Sequence, residues 1–129
     1  MSANTDLALE VIRHFNTLDA DGLTNLVTDN IKHTATGTLY NTDLEGREEY
    51  LAYIRNLLSK FNKCDFHPYN VFDVAEANVV VVEWTADFTT DTDIEWKSRG
   101  VLIFDIVDGK IDWVRDYFDT EKTKSIYST

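Results

Sequence analysis

The chain has 129 residues, and its 12 lysines and arginines against 23 aspartates and glutamates give a formal net charge of −11. This length predicts one domain, spanning residues 1–129. The acidic balance argues against nucleic-acid binding, because phosphates would repel the surface and no basic cluster offsets that repulsion. No apolar run approaches the roughly 20 residues of a membrane helix. The start MSANTDLALE lacks the features of a signal peptide, so we expect a soluble, cytoplasmic protein with no membrane partner.

Metal and nucleotide sites are not indicated. Cys64 is the only cysteine, which allows neither an internal disulfide nor a cysteine-based zinc site. The three histidines and the many aspartates do not show the spacing of a metal-ligand set, and there is no glycine-rich phosphate loop. We therefore expect no metal and no cofactor.

Helical periodicity fills the first half of the chain. Asp6 is a candidate cap for a first helix, and Gly46 opens a later one whose apolar stripe includes Tyr50. A short second helix and an extended segment lie between them. The predicted helices cover residues 7–18, 23–27 and 47–61, and the extended segment covers residues 30–38.

After the third helix the apolar period changes from helical spacing to two, which predicts strands. The four predicted strands cover residues 66–75, 78–89, 94–107 and 110–120. With the strand between the helices, the sequence predicts an α+β domain. We expect a cone-shaped, curved antiparallel or mixed sheet of about five strands, with three helices on its concave face.

Alternation within the strands predicts which face is buried. Trp84 occupies an even position flanked by apolar even neighbours, and Trp96 and Leu102 share that parity in the next strand. The even side chains of both strands are therefore expected inside the cone. In the strand 66–75, either the set with His67 or the set with Phe66 faces inward.

The closing hairpin has two plausible registers. If Asp108 and Gly109 form a two-residue primed turn, Arg115 faces inward. If Gly109 instead forms a left-handed bulge after a type I turn, Gly100 faces Asp116, which then lies inside the cone. Turn chemistry favours the bulged register.

The stretch GVLIFDIVDGKIDWVRDYFD, residues 100–119, carries a family resemblance. It is similar to the closing hairpin of limonene-1,2-epoxide hydrolases and SnoaL-like polyketide cyclases, two groups of the nuclear-transport-factor-2-like superfamily. The resemblance implies that Asp116 is a catalytic base. The second Asp and the Arg of the epoxide hydrolases are not matched, because Trp84 and Ala86 fill the inward positions unless a register shift brings in Asp87. The strand 100–107 also lacks the histidine of the cyclases.

The candidate catalytic residues are Asp116 and His33. A carboxyl group buried in the cone would have a raised pKa and could accept a proton near neutral pH. The alternative is an exposed carboxylate paired with Arg115. His33 shares parity with two apolar neighbours, so it could point inward and donate to a ligand oxygen, or be a structural histidine.

Aromatic side chains are the candidate ligand-binding groups. Trp84 and Trp96 could form a flat wall for a ring-shaped apolar ligand or simply pack the core. Tyr50 could lend a hydroxyl group. The remaining candidate ligand-binding residues are Phe15, Gly100, Leu102 and Phe118.

The outer face of the last strand carries Trp113 and Tyr117. Large apolar side chains on a second sheet face suggest that this face is covered, which predicts a two-fold homodimer packed sheet to sheet. A tail folded over the same face is the alternative.

Two functions are consistent with these features. One is a small cofactor-independent enzyme of isomerase, cyclase, dehydratase or hydrolase type, acting on an apolar oxygenated small molecule. The other is a non-catalytic module of the same fold that binds a small ligand or a partner protein.

Overall fold

The structure is a computed structural model that describes residues 2–35 and 42–121. Its helices are α1 (Ala3–Asn16) and α2 (Arg47–Leu58), and its strands are β1 (Val27–Ala35), β2 (Thr42–Glu45), β3 (Phe61–Val74), β4 (Val79–Thr90), β5 (Glu95–Val107) and β6 (Lys110–Phe118).

The strands form one sheet in the order β2-β1-β6-β5-β4-β3. β1 and β6 run parallel, and every other neighbouring pair is antiparallel. The prediction of an α+β domain with a curved mixed sheet is confirmed. Both helices bury their apolar faces against the same side of this sheet, and the core lies between them and the inward side chains.

The described residues hold six strands and two α-helices, not five and three. β2 was missed because Thr42–Glu45 is short and has no apolar alternation. The predicted second helix is wrong, since Asp21–Leu23 makes only a single 3₁₀ turn and the chain is already extended at Val27. Residues 36–38 of the predicted extended segment lie outside the described residues.

The helix boundaries differ from prediction at three ends, since α1 also ends at Asn16 and not at residue 18. α1 begins earlier because Ser2, rather than Asp6, is its N-cap, and its side chain accepts a hydrogen bond from the Thr5 amide. α2 begins after Gly46 as predicted, with φ of 102° at that glycine. It ends at Leu58, because Phe61 already belongs to β3 and packs into the core.

The predicted burial parity holds in β4 and β5, where Trp84 and Leu102 are 3% exposed. In β3 the Phe66 set faces inward only before the register shift between Pro68 and Asn70: Phe66 pairs with the inward Ala86 and packs on the core, whereas Phe72, beyond the shift, pairs with Val81 on the outer face. His67 therefore lies on the outer face.

The β5–β6 hairpin corrects the predicted register. Asp108 and Gly109 have φ of 50° and 75°, as a two-residue primed turn requires, and Val107 pairs with Lys110. The bulged turn at Gly109 is therefore wrong.

A bulge further along the hairpin restores the parity. Ile106 pairs with Ile111, but Asp105 pairs with Trp113, so Asp112 is an extra residue in β6. Every later side chain of β6 is thereby moved to the opposite face from the one that an unbroken primed hairpin would give it.

The bulge also changes the predicted pairings across the hairpin. Leu102, and not Gly100, lies opposite Asp116, while Gly100 lies opposite Phe118. The primed turn alone would have placed Arg115 inside; with the bulge, Arg115 is outside, where its guanidinium donates to Asp105 at 2.5 Å.

Candidate active site

A cavity of about 510 Å³ lies between α2 and the inner face of the sheet. Most of its wall is apolar, and the exposed side chains of Asn56 and Lys60 mark its rim. Its lining residues are Phe15, His33, Tyr53, Ile54, Asn56, Leu57, Leu58, Lys60, Phe61, Cys64, Phe66, Trp84, Phe88, Trp96, Ser98, Leu102, Val114, Asp116 and Phe118. A space of this size and composition suits a small, largely apolar ligand.

Asp116 brings a carboxyl group to the cavity wall from β6, which is flanked by β1 and β5. Its neighbours across the ladders are Ala35 and Leu102. The Oδ1 atom is out of contact with solvent, and burial raises the pKa of Asp116 to about 7. Near neutral pH this carboxyl group is therefore divided between its acid and base forms.

His33 stands beside Asp116 on the same inner face, since it pairs with Val114 of β6. The residue is 4% exposed, and burial lowers its pKa to about 4. Its ring is thus a neutral imidazole at physiological pH, with one N–H donor. Neither ring nitrogen has a hydrogen-bond partner among the described residues.

Two tyrosines of α2 surround the His33 ring. The ring centroid of His33 lies 5.7 Å from that of Tyr50 and 5.0 Å from that of Tyr53. Burial raises the pKa of Tyr50 above its usual range, and the nearby Asp116 carboxylate raises it further. The Tyr50 hydroxyl is therefore protonated at every physiological pH and stands close to Asp116.

The opposite wall is an aromatic cluster on β3, β4 and β5. Phe88 stacks on Trp96 with centroids 4.4 Å apart, and Phe66 meets Trp84 edge-on at 4.7 Å. A Cβ atom on Gly100 would lie 2.6 Å from Cζ2 of Trp84. The glycine therefore makes the space in which this indole ring lies.

Of the predicted ligand-binding residues, Tyr50 and Gly100 are not among those that line the cavity: Tyr50 is fully buried behind His33, and Gly100 lies beneath the Trp84 ring. The structure brings the other seven predicted site residues together at the cavity: Asp116, His33, Trp84, Trp96, Phe118, Leu102 and Phe15.

Besides Asn56 and Lys60 at the rim, two polar lining residues were not predicted. Ser98 shares the even, inward parity of Trp96 and Leu102, so the strand alternation was sufficient to find it. Tyr53 follows Tyr50 by three residues on α2 and so lies on the same helical face. Cys64 also lines the cavity, and burial raises the pKa of its thiol to about 12, which makes it a poor nucleophile.

Asp87 points away from the cavity. Its carboxylate contacts His67 at 3.2 Å and Lys97 at 3.3 Å on the outer face, so no register shift brings it in. With Asp65, the side chains of His67 and Asp87 place three possible metal-ligand atoms within 4.8 Å of one another. Lys97 supplies a positive charge there, and the absence of a metal stays a prediction.

Among the described helices, none is both long and apolar enough to cross a membrane.

A curved mixed sheet with helices over a cavity on one face defines a protein with the nuclear-transport-factor-2-like fold. The chain belongs to the SnoaL-like domain family, whose model matches residues 8–114. No match was found among the curated proteins.

Solved structures share this fold at low sequence identity. An NTF2-like protein of unknown function from Burkholderia pseudomallei K96243 is 19% identical over 100% of both chains, with a TM-score of 0.86. An LEH-like epoxide hydrolase of M. tuberculosis is 15% identical over 95% of this chain and 87% of its own, with a TM-score of 0.79. SalBIII, an epoxide hydrolase/cyclase-like enzyme with a role in pyran ring formation in the polyether salinomycin, is 20% identical over 92% of both chains, with a TM-score of 0.79.

Proposed function

We propose that the protein is a cofactor-independent enzyme that moves a proton within an apolar, oxygenated ring compound, with Asp116 as general base. The observation that carries this proposal is a carboxyl group with a pKa of about 7 on the wall of an apolar cavity, beside a neutral histidine. A base with this pKa combines a substantial ionised fraction at pH 7 with useful basicity.

The reaction begins when the Asp116 carboxylate removes a proton from the carbon next to a ligand carbonyl. The electron pair of the broken C–H bond moves onto the carbonyl oxygen and forms an enolate. In a β,γ-unsaturated ketone this anion is a dienolate, and the protonated Asp116 returns the proton to its γ-carbon, which moves the double bond and gives isomerisation. Alternatively, the enolate carbon attacks a second carbonyl of the same molecule, and the alkoxide that forms takes the proton back from Asp116, which gives aldol-type cyclisation.

The developing oxyanion needs a donor that is already neutral and in place. His33 supplies one, because its lowered pKa leaves an uncharged imidazole with an N–H group. The Tyr53 ring lines the cavity beside His33, and its hydroxyl is a second candidate donor. Burial of the site strengthens such hydrogen bonds relative to water.

Ring chemistry is favoured over epoxide hydrolysis with paired acids. The candidate for the second acid of an epoxide hydrolase is Asp87 on β4. Its carboxylate contacts His67 and Lys97 on the outer face, away from Asp116. A single carboxyl group that takes up and returns one proton suffices for isomerisation or cyclisation. The similarity in fold to SalBIII, with its role in pyran ring formation, supports a ring-forming reaction.

Proton abstraction can be tested before the natural substrate is known. β-Tetralone, a bicyclic ketone with acidic carbon-bound protons, is incubated with the protein in D₂O, and loss of its α-proton signal is followed by NMR. We expect exchange faster than in protein-free buffer, and a fall of about 100-fold or more in the protein-dependent rate for Asp116→Asn. Asp112→Asn, on the same strand, is the matched control, because its carboxylate accepts a hydrogen bond from Thr28 at 2.7 Å and does not line the cavity.

Equal exchange rates for Asp116→Asn and the native protein would disprove the general-base role. Binding of β-tetralone with no exchange above buffer would favour the alternative, a non-catalytic ligand-binding module. The exchange rate should rise with pH through about pH 7 as Asp116 loses its proton.

We also propose that the protein is a homodimer packed through the outer face of its sheet. Phe72 on β3 and Tyr117 on β6 are 51% and 42% exposed, and Val101 and Ile103 of β5 lie on the same face between them. Apolar side chains spread over several strands of one face are typical of an association surface.

Light scattering measures this association. Tyr117→Glu should convert a dimer into a monomer, while Val107→Glu, at an equally exposed position on the hairpin tip, should not. A native protein that runs as a monomer would remove the dimer proposal.

A further inference from the structure

Two residues on the cavity wall away from Asp116 carry buried hydrogen-bond donors. The donors are Nε1 of Trp84 and the hydroxyl of Ser98, on residues that are 3% and 6% exposed. Both polar atoms are shut off from solvent, and neither has a hydrogen-bond partner among the described residues. A buried donor without an acceptor destabilises a protein, so a ligand acceptor that reached these two donors would be bound favourably.

The sheet register brings these donors together. Trp84 pairs with Gly100, and Ala86, two residues further on, pairs with Ser98. Trp84 and Ser98 are therefore diagonal neighbours on the inner face. The indole ring leans over Gly100, where its Cζ2 atom would lie only 2.6 Å from an added Cβ, so the edge that carries Nε1 is held over β5.

The edge-on contact with Phe66, at 4.7 Å between ring centroids, fixes the Trp84 ring in this orientation. A third indole donor, Nε1 of Trp96, is buried in the same way two residues from Ser98. The wall is thus apolar in its ring faces and polar at a few fixed points, as ligand sites commonly are.

The distance between these two donors and Asp116 follows from the positions of their neighbours along β5. Leu102 faces Asp116 across the ladder, and it follows Gly100 by two residues and Ser98 by four. At about 3.3 Å per residue, the donors lie about 7–13 Å along the strand from Asp116. A ligand of two or three fused or linked rings spans this distance.

We propose that Trp84 and Ser98 form a second polar subsite, which hydrogen-bonds an acceptor oxygen at the far end of the ligand. The inference rests on the proposed function and narrows its substrate class. The substrate is an elongated, two- to three-ring apolar compound with a carbonyl at the Asp116 end and an ether, hydroxyl or carbonyl oxygen at the other end.

The subsite is tested with a matched pair of probes. One is β-tetralone, and the other is the same ketone with a methoxyl group on its aromatic ring, at the end opposite the carbonyl. Calorimetry measures the dissociation constant of each probe. We expect the native protein to bind the methoxy ketone about 5–10-fold more tightly, which is the size of one net hydrogen bond.

Variants then assign the preference to its residues. Ser98→Ala and Trp84→Phe should each bring the affinity ratio of the two ketones close to one. Thr85→Ala is the control and should leave the ratio unchanged, because Thr85 is exposed on the outer face of β4, next to Trp84 in the chain. The ratio is measured within each variant, so a general loss of stability or affinity does not imitate the effect. If Trp84→Phe does not fold, Ser98→Ala carries the test alone.

The outcomes separate this proposal from the proposed function. Equal affinity for the two ketones in the native protein overturns the subsite and leaves the cavity as a ketone site. A preference that survives in Ser98→Ala and Trp84→Phe overturns the assignment to these residues. If neither ketone binds the native protein, both the subsite and the proposed function are overturned.

Discussion

Asp87 and Asp116 are the same side chain on opposite faces of one sheet, and the two faces act on them in opposite directions. On the outer face, hydrogen bonds from Lys97 and then His67 lower the pKa of Asp87 below its ordinary value. On the inner face, burial raises the pKa of Asp116 to about 7. The outer carboxylate is stabilised in its charged form, while the inner one is made costly to ionise.

This difference separates a carboxylate whose surroundings favour its charged form from one whose surroundings oppose it. A position that only had to stabilise the fold would carry an apolar residue in the environment of Asp116, among Leu102, Val114 and Phe118. A strongly shifted titratable group in a cavity is instead typical of a functional site. The outer aspartates keep the surface charged, and their exposed positions give little evidence of a functional site.

The largest expected effect comes from removing the inner charge. The folded-state pKa of Asp116, about 7, lies above its ordinary value of 3.8, so the folded protein binds the proton more tightly than the unfolded chain. Stability therefore falls as pH rises from about 4 to 7, by about 4 kcal/mol in total. Asn cannot ionise, so Asp116→Asn should gain stability over the native protein across this range and hold that gain at pH 8.

Urea unfolding at pH 4 and pH 8 measures this gain, and Asp112→Asn is the control. The same free-energy difference between Asp116→Asn and the native protein at both pH values would contradict the raised pKa. It would also remove the main physical support for a general base.

His33 should show the opposite pH dependence. Its folded-state pKa of about 4 lies below the ordinary value of 6.5, so the unfolded chain binds the proton more tightly. Stability is lost as pH falls from about 6.5 to 4, by about 3 kcal/mol. His33→Gln removes this loss, so urea unfolding at pH 7 and pH 4 should show a larger gain in stability on acidification than in the native protein.

The two buried groups therefore nearly cancel in the native protein between pH 4 and pH 6.5. Asp116→Asn alone should be more acid-labile than the native protein, and His33→Gln alone should become more stable as the pH falls. A double variant should regain the flat profile. Parallel profiles in all four proteins would show that neither group is buried as described.

The inward position of Asp116 shows how much the sequence predicts and where it stops. Strand alternation identified the buried face of β4 and β5 correctly, because that face is apolar almost throughout. In β6 both faces mix apolar and charged residues, and alternation could not decide. The predicted turn was wrong, and Asp116 is nonetheless inward because a bulge at Asp112 reverses the parity that the primed turn sets.

A bulge of this kind has no signal in the local sequence. Its position is set by how β6 must pair with β5 on one side and with β1 on the other. β2 escaped prediction for a related reason, since its four residues form a strand only because β1 lies beside them. The cavity lining was largely predictable from parity, whereas the closeness of His33 to Asp116 depends on the parallel pairing of β1 with β6.

Gly100 offers an intermediate effect that probes the inner face without changing a charge. An added Cβ would lie 2.3 Å from the carbonyl oxygen of Tyr117 and 2.6 Å from Cζ2 of Trp84. The backbone oxygen cannot move without disturbing β6, so Gly100→Ala should destabilise the protein by about 1–3 kcal/mol and displace the Trp84 ring. Urea unfolding and tryptophan fluorescence measure the two changes; Thr85→Ala, on the outer face, is the control, and native-like stability in Gly100→Ala would contradict this packing.

The smallest effect should come from the outer face. Asp87→Asn removes the charge that attracts Lys97 and His67. All three side chains are solvated, so water and salt screen this attraction and it stabilises the protein little. We expect the melting temperature to fall slightly at low ionic strength and to be unchanged at high ionic strength. The β-tetralone exchange should proceed at the native rate. A loss of exchange in Asp87→Asn that matches the loss in Asp116→Asn would mean that the outer carboxylate reaches the site after all, as the paired acids of an epoxide hydrolase would require.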